Sequence, residues 1–180
     1  MVYVFLAEGF EETEALAPVD ILRRAGCNVT TVAVGKGLQV KGSHNINVTA
    51  DINESEITTD DMECVVLPGG MPGTLNLEKS PIVTQCVRYC YENNLTICAI
   101  CAAPSILGHM GLLKGKEAIC FPGFENELAG ADISEKHVCV DGNIITAKGA
   151  GVAIDFGLEI AAKLKGPATS DKVRKALQCR

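Results

Sequence analysis

Cys101 follows the apolar run Thr96–Ile100 and precedes Pro104 by three residues, where a strand is expected to give way to a helix. A thiol at such a turn is lifted above the sheet, as at a nucleophile elbow, and faces unpaired backbone N–H groups. Those amides and the positive end of the helix dipole are expected to draw its pKa from about 8.5 toward about 5.5. Glu14 is the second candidate. It belongs to the acidic helix start Glu11, Glu12, Glu14 and lies one turn before Pro18 and Val19, so it can face the sheet. A carboxyl buried beside a thiolate keeps its proton and can donate it to sulfur. Gly69-Gly70 follows another apolar run and permits close backbone approach, so its amides can meet an oxyanion. Each feature has a plainer reading: a core thiol, a solvated helix-start acid, a tight turn. Spacing alone does not choose between them.

The remaining motifs are mostly exclusions. Nine cysteines are present, an odd number, and most lie in apolar segments. Met1–Ala7 runs into Glu8 without a basic flank and reads as a strand rather than a secretory signal, so reduced thiols and a cytoplasmic location are expected. Cys98 and Cys101 form a C-x-x-C, but three extended steps separate Cα atoms by about 10 Å, beyond the about 7 Å that a disulfide tolerates. Cys86 and Cys90 share a helical stripe with Ile82, Val83 and Val87, which is core spacing. His44, His109 and His137 are scattered, so no zinc spacing appears and no metal is expected. Gly149-Ala150-Gly151 resembles a dinucleotide loop, but Ile154 stands where Gly or Ala is required, and no cofactor is expected. A net charge of −6, no Trp, three Tyr and five Phe argue against nucleic acid as a partner. No apolar run exceeds seven residues, so no membrane span is expected.

The elements that must position Cys101 and Glu14 follow from periodicity. The chain has 180 residues, 47% apolar and 21% charged, enough for one domain over 1–180 that buries roughly 70% of its unfolded surface. Strands are expected at Val2–Ala7, Asn28–Val34, Cys64–Leu67 and Thr96–Ile100. A peripheral hairpin is expected within Leu38–Ala50, and a second at Cys139–Ala147 around Asp141-Gly142. Helices are expected at Glu11–Ala25, Pro81–Asn94, Ala102–Met110, Ala150–Leu164 and Ala168–Leu177, and residues 51–63, with six acids and no base, read as a solvated loop. Short Val/Ile/Cys runs alternating with helices predict a doubly wound α/β fold with a parallel sheet covered on both faces. Ligands of such sheets bind beyond the carboxyl ends of the strands, which puts Glu8–Glu14, Pro68–Gly73 and Cys101–Pro104 at one address.

Four segments at that address carry a family resemblance: Leu6-Ala7-Glu8-Gly9-Phe10-Glu11-Glu12-Thr13-Glu14, Val66-Leu67-Pro68-Gly69-Gly70, Ala99-Ile100-Cys101-Ala102-Ala103-Pro104 and Gly149-Ala150-Gly151-Val152-Ala153-Ile154-Asp155-Phe156. Together they resemble the ThiJ/PfpI superfamily, closest to the parkinsonism-associated deglycase branch and its bacterial relatives. The likeness runs from about residue 2 to residue 178. It implies a flavodoxin-like α/β/α sandwich, with Cys101 as nucleophile, Glu14 as the acid touching it, and the amides of Gly70 and Ala102 as the anion pocket. It also implies a homodimer through a face that includes the first helix and Asp20, with His44 near where family members often carry Arg. Three positions depart from the pattern. Ala102 stands where the peptidase-like branch has His, Phe121 lies in the segment where the deglycase relative has His, and Ala150 replaces a usual Pro between glycines. The resemblance implies a cofactor-free enzyme converting small 2-oxoaldehydes such as methylglyoxal to 2-hydroxy acids, or deglycating their protein adducts. A non-catalytic oxidative-stress sensor or chaperone using Cys101 is the alternative, and cysteine peptidase or amidotransferase-like chemistry is a third.

Overall fold

The computed structural model describes residues 1–179. Its first strands are β1 (Val2–Leu6), β2 (Val29–Ala33), β3 (Gln39–Lys41), β4 (Asn47–Thr49), β5 (Ile52–Asn53) and β6 (Cys64–Leu67). β7 (Thr96–Ile100), β8 (Glu117–Ala118), β9 (Asp132–Ile133), β10 (Val138–Asp141) and β11 (Ile144–Ala147) complete the set. The helices are α1 (Glu12–Arg24), α2 (Gly73–Lys79), α3 (Pro81–Glu92), α4 (Pro104–His109), α5 (Ala153–Lys165) and α6 (Pro167–Ala176).

Period-two alternation along β1 sets the layers. Val2, Val4 and Leu6 pack with Ala15 and Leu22 of α1 and Phe156 and Ile160 of α5, while Tyr3 and Phe5 join Val83 and Val87 of α3 and Ile106 of α4 on the other side. Both faces of the strand are therefore buried, which is why it reads as a continuous apolar run. Seven strands form the central sheet in the order β10-β11-β7-β6-β1-β2-β5. All its pairings are parallel except the β10–β11 hairpin, so the doubly wound α/β expectation holds. The β3–β4 hairpin forms as expected outside the main sheet.

Local chemistry explains the helix starts. The Glu11 carboxylate accepts from the Glu14 amide at 2.8 Å to open α1, and Ser80 accepts from Val83 at 3.2 Å ahead of Pro81 to open α3. Several elements differ from expectation, among them the unforeseen β8–β9 pair. Residues 52–53 leave the acidic loop to pair with β2 as the sheet's edge. α2 forms where the Pro-Gly sequence reads as turn only. The helix after Cys101 starts at Pro104 and ends at His109, shorter than the expected Ala102–Met110.

The end of α4 is braced by charge. His109 Nδ1 lies 2.5 Å from Glu78 Oε1 of α2, and Nε2 lies 2.8 Å from Glu127 Oε2 in the loop beyond β8. Hydrogen bonds to Glu127 and Glu78 raise the imidazole pKa. A raised folded-state pKa contributes stability that is fully present below the unfolded value, about 6.5, and is lost as pH rises through the folded value. His109→Gln should therefore lower the midpoint of urea unfolding at pH 6 and change it less at pH 9. An equal loss at both pH values would show that the brace does not depend on protonation.

Candidate active site

Three strand ends meet around the Cys101 side chain. Cys101 leaves β7 with φ at 65°, the left-handed region that non-glycine residues rarely adopt. Its backbone is fixed from both sides: its N–H donates to the Ala147 carbonyl of β11 at 2.9 Å, and its carbonyl accepts from Phe121 at 2.8 Å. The turn closes with Ala103 donating to Ile100 and the Ser105 hydroxyl to Ala102, so α4 begins without a side-chain cap of its own. The sulfur is partly exposed and receives the amides of Ala102 and Gly70.

Glu14 comes from the first turn of α1 and is only 1% exposed. Its Oε2 accepts from the Gly69 amide at 2.9 Å, and its carboxyl hydrogen-bonds the Cys101 side chain. The glycine pair is required by space. A Cβ on Gly69 would stand 2.7 Å from Cys101 Cβ and 2.7 Å from Glu14 Oε2. Gly70, at φ 89°, lies so close to the Gly9–Glu11 backbone that no side chain fits. The structure thus brings Cys101, Glu14, Gly70 and Ala102 together, the four positions singled out from sequence. Gly69 is a fifth: sequence reasoning set its amide to meet an oxyanion, whereas in the structure it fixes the Glu14 carboxyl.

The electrostatics correct one expectation. Burial, then the charge of Glu14 and the hydrogen bond with it, push the Cys101 thiol up to about 12, against the downward pull of the Ala102 and Gly70 amides. Burial pushes Glu14 up to about 7, opposed by its hydrogen bonds to Cys101, Gly69 and Ala150. The thiol is not independently acidic, because burial and the nearby Glu14 outweigh the pull of the two amides. From pH about 7 to about 12 the two groups hold one proton between them, and these values put it mainly on sulfur, so the thiolate beside a protonated Glu14 is the minor arrangement. When that proton is on Glu14, the site presents a thiolate beside a carboxylic acid, with amides in place for an anion.

The chain matches the DJ-1/PfpI family model over residues 1–163. The chain belongs to the DJ-1/PfpI family. It is 36% identical over 176 residues to protein dj-1beta of Drosophila melanogaster, covering 97% of this chain and 94% of that protein. It is 34% identical over 178 residues to the Parkinson disease protein 7 homolog of Danio rerio, with 97% and 94% covered. Oxidized Toxoplasma gondii DJ-1 superposes with a TM-score of 0.95 at 32% identity, covering 98% of this chain and 97% of that one. The shared architecture is the flavodoxin-like sandwich that the sequence resemblance implied.

Two of the three histidines are held by carboxylates within the chain. His44 Nδ1 lies 3.0 Å from Glu12 Oε2, and its backbone N–H donates to Glu12 Oε1 at 2.8 Å. His109 is held by Glu78 and Glu127. Phe121 contributes its amide to the Cys101 carbonyl and its ring to the wall over Gly149. Asp20, expected to look across to His44, is paired in its own chain with Arg24 at 2.7 Å. Both sequence partners are thus taken within the chain. Among the described residues no helix is long and apolar enough to cross a membrane.

The shared proton has a readable signature. Alkylation of Cys101 by iodoacetamide, followed by peptide mass spectrometry, should rise once through pH 7 and stay level to pH 10. In Glu14→Gln that inflection should vanish. A rate that climbs steadily toward pH 12 in the wild type would mean that the sulfur keeps the proton throughout.

Proposed function

We propose that this chain is a cofactor-free enzyme, a glutathione-independent glyoxalase or deglycase of the DJ-1/PfpI family, acting on 2-oxoaldehydes and their early protein adducts. The observation that carries this reading is the buried Glu14 carboxyl hydrogen-bonded to Cys101, with the Gly69 amide fixing the carboxyl and the Gly70 and Ala102 amides on the sulfur. The Cys101 thiolate adds to the aldehyde carbon, and the new alkoxide lies against the amides of Gly70 and Ala102. Glu14 first gives its proton to that oxygen. As a carboxylate it then takes the hydrogen from the former aldehyde carbon and returns it to the neighbouring carbon, while the hydroxyl proton passes to the neighbouring oxygen, leaving a thioester. Water cleaves the thioester, releasing the 2-hydroxy acid and restoring the thiol. For methylglyoxal the product is lactate, and no external oxidant or reductant is consumed. On a glycated amine, thiol or guanidinium the thiolate displaces the carried group from the adduct carbon, Glu14 gives its proton to that leaving group, and the resulting hemithioacetal follows the same course to the thioester.

We place the enzyme in the cytoplasm as one ThiJ/PfpI-like domain that forms a homodimer. Lactate release from methylglyoxal without glutathione tests the activity. Cys101→Ser should abolish it, and Glu14→Gln should lower kcat by about 10²- to 10⁴-fold, the usual range for a proton-transfer group. kcat/KM should rise through pH 7 and then level off. Full activity in Glu14→Gln would remove the proton shuttle.

A second reading is favoured by one comparison, the oxidized state named for the Toxoplasma gondii relative. Here Cys101 is the sensor, passing under peroxide through sulfenic to sulfinic acid, which the same amides hold and to which Glu14 donates its proton. Cys98 cannot intercept the sulfenic acid, because its buried sulfur lies instead 3.7 Å from that of Cys64. Graded peroxide should add two oxygens at Cys101, seen by peptide mapping, while far-UV circular dichroism stays unchanged. A Cys98–Cys101 disulfide as the main product would overturn this reading.

A further inference from the structure

A groove of about 420 Å³ opens beside Cys101, lined by Phe121, Pro122, His137, Lys148, Val152 and the glycine turn that begins at Gly149. Its inner wall touches the reacting groups. A Cβ on Gly149 would stand 3.3 Å from Phe121 Cδ2 and 4.0 Å from Glu14 Oε1, so the glycine turn of the groove packs against the buried carboxyl. The Phe121 amide donates to the Cys101 carbonyl, and Lys148 continues β11 directly from Ala147, whose carbonyl receives the Cys101 amide. The groove therefore begins where the chemistry happens. Its space is more than methylglyoxal fills.

The lining is divided by chemistry. Phe121, half exposed at 48%, with Pro122 and Val152 supplies apolar surface. His137 and Lys148 supply the polar contribution, and both are exposed. Lys148 forms no ion pair among the described residues, although Lys116 and Lys136 nearby in sequence are each paired with an acid. Lys148 is the one lysine that lines this groove, and no carboxylate lines it to compete for the ammonium there. Glu14, the acid at the inner end, disfavours a second anion there and leaves the lysine as the place for one.

We infer that this groove is the specificity subsite for the non-reacting part of the substrate, and that it takes a 2-oxoaldehyde with an apolar body ending in a carboxylate, bound by Lys148. The inference rests on the aldehyde chemistry proposed above and adds the class of substrate. Phe121 and Val152 flank the body, the aldehyde reaches Cys101, and the carboxylate meets the Lys148 ammonium with His137 as a further donor. An exposed ion pair of this kind is worth up to about fivefold in affinity.

Phenylglyoxal and 4-carboxyphenylglyoxal differ only in that terminal charge and serve as probes. In the wild type, KM should be about fivefold lower for the carboxylated aldehyde. The ratio should collapse toward one in Lys148→Met and return in Lys148→Arg, which a merely structural role for the side chain would not produce. Equal KM values in the wild type, or a ratio unchanged in Lys148→Met, would overturn the subsite. A second arm does not need turnover: calorimetric titration of mandelate and 4-carboxymandelate into Cys101→Ser protein, with and without Lys148→Met. Tighter binding of 4-carboxymandelate that is lost with the lysine supports the subsite even if no aldehyde is turned over, in which case the proposed activity alone fails. Equal binding of the two acids overturns the subsite whatever the activity.

Discussion

Holding a non-glycine residue at positive φ costs on the order of 1–3 kcal/mol, and Cys101 is held there at 65°. The surroundings of the site are arranged around that one residue. β11 must lie beside β7 so that Ala147 can accept the Cys101 amide, and the segment after β8 must return over the sheet so that Phe121 can donate to its carbonyl. Gly69 must lack a side chain, because the turned residue brings its own Cβ into that space. A regular helix beginning at position 101 would release the strain, but it would also turn the sulfur away from the Gly70 amide. The hydrogen bonds to two separate elements make the strained turn the stable one.

The same turn explains why Glu14 tolerates almost complete burial. A carboxylate removed from water without partners is strongly disfavoured. Here the Gly69 amide and the Cys101 side chain supply partners, and the remaining desolvation appears as a pKa of about 7 rather than as instability. That value is useful chemically, since a proton donor and acceptor works best when its pKa lies near the working pH. Neither group reaches this state alone. The acid is tuned by the thiol, and the thiol is made reactive only when the acid takes the proton.

Much of this was legible in the sequence, and the gaps have physical causes. The strand at Thr96–Ile100 followed by Pro104 announced the turn, and the helical phase of Glu14 relative to Pro18 and Val19 allowed it to face inward without excluding a solvated acid. The direction of the thiol's pKa was not legible, because burial and the approach of an acid 87 residues earlier in the chain are tertiary facts. α2 was missed because its seven residues follow Pro72 and open with Gly73, and local turn chemistry outweighs so short a periodicity. β5 has two residues and gains its place from pairing with β2 rather than from any pattern of its own. The pairing of His44 with Glu12, 32 residues apart, likewise has no local signature.

The other cysteines show what separates a reactive thiol from an unreactive one in this molecule. Burial pushes Cys90 up to about 12, the same value as Cys101, and Cys86 and Cys120 to about 11. A ranking by pKa would therefore not pick out the nucleophile. The difference lies in where the proton can go. The nearest polar partner of Cys90 is the Met62 sulfur at 3.5 Å, and the Cys64 and Cys98 sulfurs face each other, so none of these thiols is paired with a carboxylate in its buried setting. Cys101 has Glu14 to receive its proton and two amides to receive the resulting charge, and its sulfur is partly open to solvent. Reactivity at this site is thus a property of a proton-sharing pair at the edge of the core, and burial supports it only because the acid is buried along with the sulfur.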